Sequence, residues 1–122
     1  MEKTIIVDGK EIRMRASAGI PRMYRLKFRR DILQDMQVIQ HAVEKAQRGG
    51  KEGDAVPMPI EALTMFENVA YLMAKHAAPT DVPDRVEDWL DQFDTFSIYS
   101  VFPAIQELWA ANLQTMSQPV KK

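Results

Sequence analysis

The 122 residues predict an α+β fold: an N-terminal β-hairpin followed by four to five α-helices, with helix predominating. Two observations carry that expectation. Alternating apolar residues flank Asp8-Gly9, the preferred pair for a two-residue turn that needs positive φ at both positions. From Pro21 onward, apolar residues recur at spacings of three and four, the period of a helix face. No repeat is visible, and the whole of 1–122 reads as a single domain. A chain of this length buries roughly two thirds of the surface its unfolded form exposes.

The hairpin is expected over residues 4–16. An Asp8-Gly9 turn sets Val7 against Lys10, Ile5 against Ile12 and Lys3 against Met14. One face is then largely apolar (Ile5, Val7, Ile12, Met14), and the other is wet, with Glu2 and Arg15 as its favourable charge pair. A lone hairpin is marginal, so the apolar face must rest on other elements.

The helical part spans 21–113. Pro21 suits a first turn, where its missing N–H costs nothing. Helix is expected to Gln47, with Ile32, Met36, Ile39, Val43 and Ala46 inward. Asp31 is a capping residue, which places a break near Arg29–Arg30. Residues 48–58, rich in Gly, Lys and acid, read as a flexible surface loop. They lack the order and the preceding strand of a phosphate-binding loop. Pro59 to Ala77 reads as the next helix, with Ile60, Leu63, Phe66, Ala70 and Met73 as its stripe and Val69 beside it. Lys75 and His76 fall in its last turn, where positive charge suits the dipole. Pro79 and Pro83 lead into a short acidic helix, Asp84 to Phe93, with Val86, Trp89, Leu90 and Phe93 inward. Asp94 or Ser97 caps a final helix to about Leu113, which holds Pro103 in its first turn or kinks there. Residues 115–122 are expected to fray.

Charge is distributed unevenly. Residues 1–30 carry nine Lys/Arg against three Asp/Glu, and residues 52–107 carry two against eleven, although the net charge is −1. Such halves attract each other within one chain or between copies, which makes Arg22, Arg25, Arg29, Arg30, Asp84, Glu87, Asp88 and Asp91 candidates for electrostatic self-association. The basic run at 22–30 also suggests a phosphate grip. The overall pI of about 6.1 argues against it, and nucleic acid is not an expected partner.

No catalytic device is legible. His41 and His76 stand on different helices without the ligand spacing a metal or base role needs. The carboxylates at 84–91 read as a solvated face, since catalytic pairs need unlike, partly buried surroundings. There is no cysteine, hence no disulfide or thiolate metal site, which fits a reducing compartment. We therefore expect no enzyme activity, no cofactor and no metal. The N-terminus lacks a basic-then-apolar signal layout, which predicts retention in the cytoplasm.

The 26 residues between Asp94 and Lys121 carry a single charge, Glu107, and hold four of the ten aromatic residues. Gln106, Asn112, Gln114 and Pro103 interrupt any run long enough to cross a membrane. Phe102, Ile105 and Leu108 have core spacing. Phe96, Tyr99, Trp109, Leu113 and Met116 are the candidates for a surface that meets a partner. Eight methionines are a mild excess, mostly at core positions.

The segments IIVDGKEI, IPRMYRLKFRRDILQDM, FENVAYLMAKHA and DWLDQFDTFSIYSVFPAIQELWAAN together resemble the tail assembly chaperones of long-tailed phages and prophages of Gram-positive bacteria. The resemblance covers nearly the whole chain apart from 48–58. PRMYR, MFENVAYLMAK and DQFDTFSIYSVFPAIQELW are its most specific pieces, and the closing PVKK is like the lysine-rich end at which relatives are extended by frameshifting. Ile20 departs from a usual capping Thr, and Arg29 from an expected Gly. The resemblance implies a non-enzymatic protein of the host cytoplasm, absent from the mature virion. It would be the short form of a chaperone that binds the tape measure protein, keeps it soluble and helps recruit tail tube protein. The alternative class is a small regulatory or DNA-associated phage protein using residues 22–30.

Overall fold

A computed structural model describes residues 1–51 and 58–117, with the backbone alone for 49–51 and 114–117. Asp8 (φ 55°) and Gly9 (φ 77°) both lie in the left-handed region, as the turn requires. They join β1 (Glu2–Val7) to β2 (Lys10–Arg15) in the expected antiparallel register, Ile5 opposite Ile12 and Lys3 opposite Met14. The open end is closed by the Met1 and Ala16 main chains, which exchange N–H···O bonds of 3.0 and 3.1 Å. On the wet face the charge contact is diagonal. Arg13 Nε approaches Glu2 Oε1 at 3.7 Å, whereas Arg15, the residue directly opposite Glu2, was the expected partner. Arg13 also donates to the Ala77 carbonyl at 2.7 Å, tying the hairpin to a helix end.

Helix α1 (Ile20–Phe28) starts without a side-chain cap. Ser17 Oγ accepts the Gly19 N–H at 3.2 Å, and fully buried Ile20 anchors the first turn. The helix ends where Arg29 adopts φ 60°, ψ 37°. Asp31 then caps α2 (Ile32–Lys51) by accepting the Leu33 N–H at 2.9 Å, so the expected break is present. Ile32, Met36, Ile39, Val43 and Ala46 are all buried. Residues 48–51, expected in a loop, continue α2. Glycine is tolerated at the end of a helix this long at a cost of about 1 kcal/mol each. The remainder of that expected loop, 52–57, lies outside the described residues.

Helix α3 (Ile60–Ala77) is the centre of the fold, because β2, α1, α2, α4 and α5 all pack against it. Burial is therefore not a single stripe: Val69 to Ala74 are buried without interruption. Ile60, expected on the inward stripe, is 78% exposed in the first turn of α3, where it lines a shallow depression with Arg30. Helix α4 (Val86–Leu90) is shorter than the expected 84–93, but Trp89 and Phe93 are buried as expected.

Helix α5 (Ile98–Ser117) includes Pro103 as its sixth residue, where the carbonyl of exposed Tyr99 receives no helical N–H. Phe102, Ile105 and Leu108 are fully buried. The helix passes Leu113 and includes residues 115–117, expected to fray, because no breaker intervenes before Pro119. Residues 118–122 lie outside the described residues. Strand β1 rests on α5 and β2 on α3, so the hairpin's apolar face closes one end of the core with Val7 and Met14.

Candidate partner-binding surface

Helices α2 and α5 each pack on α3 but make little direct contact with one another, which leaves a groove between them. It measures about 390 Å³, with Leu33, Met36, Trp109, Ala110 and Leu113 as its apolar part and Gln37, Gln40 and Gln106 as its polar part. Among the described residues no charged side chain lines it. Trp109 is 6% and Met36 5% exposed, so both serve as floor, whereas Leu33 is 47% exposed and stands at one mouth. The turn of α5 that supplies Trp109 is anchored in the core by Leu108, the residue before it, and by Ile105, one helical turn earlier.

The Leu33 end is braced by a polar triad built on buried Asp35, with Tyr24 beneath it and half-exposed Arg30 above. Asp35, 1% exposed, accepts from the Tyr24 hydroxyl at 2.6 Å and from Arg30 Nε and Nη2 at 2.8 and 3.0 Å. Burial, followed by the bond to Asp35, pushes the Tyr24 hydroxyl far above its ordinary range, so it stays a donor. The bidentate clamp fixes the elbow between α1 and α2. Arg25 and Arg29 remain exposed beside that elbow, in a second depression that shares Leu33 with the groove.

The expected partner residues thus separate. Trp109 and Leu113 come together on the groove with α2. Phe96 belongs elsewhere: half-buried, it stacks 5.2 Å from Trp89, 5.5 Å from Phe93 and 5.4 Å from Phe66. Tyr99 is exposed in the first turn of α5 and does not line the groove. The side chain of Met116 lies outside the described residues. Leu33, Gln37 and Gln40 did not emerge from the sequence, because Leu33 falls one residue off the buried stripe and glutamine carries no periodic signal.

The charged candidates also divide. Lys27, not the arginines, bridges the basic and acidic parts: it donates to the Asp84 carbonyl at 3.3 Å and sits 5.5 Å from the Tyr71 ring centre. Asp84 pairs with Lys75 at 2.9 Å, and that bond holds its carboxyl below the usual range. Glu87 pairs with Arg85 at 2.6 Å, with the same consequence. Arg30 is committed to Asp35. Among the described residues Arg22, Arg25, Arg29, Asp88 and Asp91 form no ion pair.

His76 Nε2 lies 2.9 Å from Ser17 Oγ, and burial, then Arg15 and the N-terminal amine, lower its pKa. His41 is exposed on α2. Among the described residues no three His, Asp or Glu side chains converge as metal ligands, and no helix is long and apolar enough to cross a membrane.

Compared with protein-family models, curated proteins and solved structures, the chain matches none. The reading of function therefore rests on the four segments quoted above and on the groove.

Proposed function

We propose that this protein is a phage tail assembly chaperone acting by protein–protein contact. It binds the tape measure protein, keeps it soluble and helps recruit tail tube subunits, working in the host cytoplasm and staying out of the finished virion. The observation that carries the reading is the α2–α5 groove, a partly apolar trough free of charge among the described residues, with a tryptophan in its floor and a half-exposed leucine at its mouth. Helix-in-groove contacts use such surfaces, with one or two large anchors and a polar rim. A long helical client exposes much apolar surface before assembly, and many modest contacts of this kind shield it.

The test is co-expression with the tape measure protein, reading how much of that protein stays in solution. Wild type should hold it, and Leu33→Asp should not. Leu33 lies in the first turn of α2, where an acidic residue suits the dipole, so the variant keeps its helix while placing a charge in the trough. If the tape measure protein is equally insoluble with and without wild type, the reading fails.

A second reading, phosphate binding, is favoured by the exposed Arg22, Arg25 and Arg29. Gel retardation that weakens steeply with salt would support it over the chaperone reading.

A further inference from the structure

We infer that the α2–α5 groove takes an amphipathic helix of another protein, with acidic residues on the end of that helix that reaches Arg25 and Arg29. This rests on the partner-binding reading above and deepens it with an occupant and a polarity.

Two depressions meet at Leu33. The groove itself is free of charge among the described residues, and the depression beyond it, about 470 Å³, is lined by Arg25, Arg29 and Arg30. Arg30 is spent on Asp35. Asp31, the acid that also lines this depression, turns its carboxylate to the Leu33 N–H. Arg25 and Arg29 are thus left with no carboxylate among the described residues, one helical turn apart on α1 and its cap. The Asp31 carboxylate keeps its charge while it caps, but Arg25 and Arg29 outnumber it and leave the depression net positive. An occupant that runs along the trough and out over Leu33 is therefore favoured with acid at that end.

Two other occupants fit less well. The end of this chain carries Lys121 and Lys122, which would bring like charge to the arginines. In a second copy the most acidic element, α4, has its apolar residues Trp89 and Phe93 buried in its own core. A separate chain with an apolar stripe and an acidic end satisfies both parts of the surface.

The experiment uses the full chain and two dye-labelled synthetic helices of about 20 residues, long enough to form helix. Both carry leucines at i, i+3, i+4 and i+7; one bears three glutamates at an end and the other three lysines. Fluorescence anisotropy should show saturable binding of the glutamate peptide, about tenfold tighter than the lysine peptide at low salt and less so at high salt. Arg25→Glu/Arg29→Glu, two exposed positions, should keep the fold by circular dichroism and reverse the preference. Gln40→Trp should weaken both peptides by filling the trough. Equal binding of the two peptides, no saturable binding, or indifference to the charge reversal would overturn the inference. Failure to solubilise the tape measure protein while the glutamate peptide binds would instead remove the chaperone reading and leave the groove assignment standing.

Discussion

Two residues with positive φ carry opposite lessons. Gly9 sits at φ 77°, and a Cβ built there meets nothing within 4 Å, so only backbone strain opposes a side chain. Gly9→Val should cost about 1–3 kcal/mol, read as a lower urea midpoint. Arg29 sits at φ 60° as the cap of α1, a position where glycine relieves the clash between Cβ and backbone. Arg29→Gly should therefore raise stability by about 0.5–1 kcal/mol, read as a higher urea midpoint, the relief being partly offset by the greater freedom of the unfolded chain. A fall in stability for Arg29→Gly would mean that α1 does not end in this geometry. It is the position where the sequence departs from the glycine its resemblance leads one to expect, and the structure shows why glycine suits it.

At the scale of elements, the join between the hairpin and α3 should make stability depend on pH. His76 contacts Ser17 just after β2, facing Arg15 and the N-terminal amine. Its pKa is lowered in the fold, so the unfolded chain takes up a proton first as pH falls through about 6.5. Stability should drop from there down to the lower folded value and then level off, with no contribution from His76 above pH 6.5. His76→Gln keeps a polar partner for Ser17 and should flatten this part of a plot of urea midpoint against pH. An unchanged slope would place the titrating group elsewhere. The elements themselves were largely legible. Asp8-Gly9 and strict alternation dictate the hairpin register, and the 3–4 spacing of Ile32 to Ala46 dictates which face of α2 turns inward. Ile60 has the inward spacing yet is exposed, because periodicity says which face of a helix is apolar, not how much of that face is covered. Of the groove, only the α5 side, Trp109 and Leu113, was legible. The groove exists because α2 and α5, far apart in sequence, both lie on α3 without closing on each other.

For the whole molecule, the separation of charge along the chain is partly spent in folding. Lys3 meets Glu107 at 3.3 Å, Lys10 donates to the Gln92 carbonyl, Lys27 to the Asp84 carbonyl, and Asp8 accepts from the Asp94 N–H at 3.0 Å. Of the charged candidates, Arg22, Arg25, Arg29, Asp88 and Asp91 form no ion pair among the described residues and remain for contact between copies. Light scattering should show larger particles at low salt that shrink as salt screens these exposed faces. A monomer mass at every salt concentration would remove self-association. The central claim, that the α2–α5 groove meets the tape measure protein, is tested most directly by site-specific photo-crosslinking. A benzophenone side chain at Gln40, in the groove, is compared with one at Glu11, on the wet face of the hairpin, during co-expression with that protein. Crosslinks to the tape measure protein from Gln40 and none from Glu11 are predicted; crosslinks from Glu11 with none from Gln40 would contradict the account.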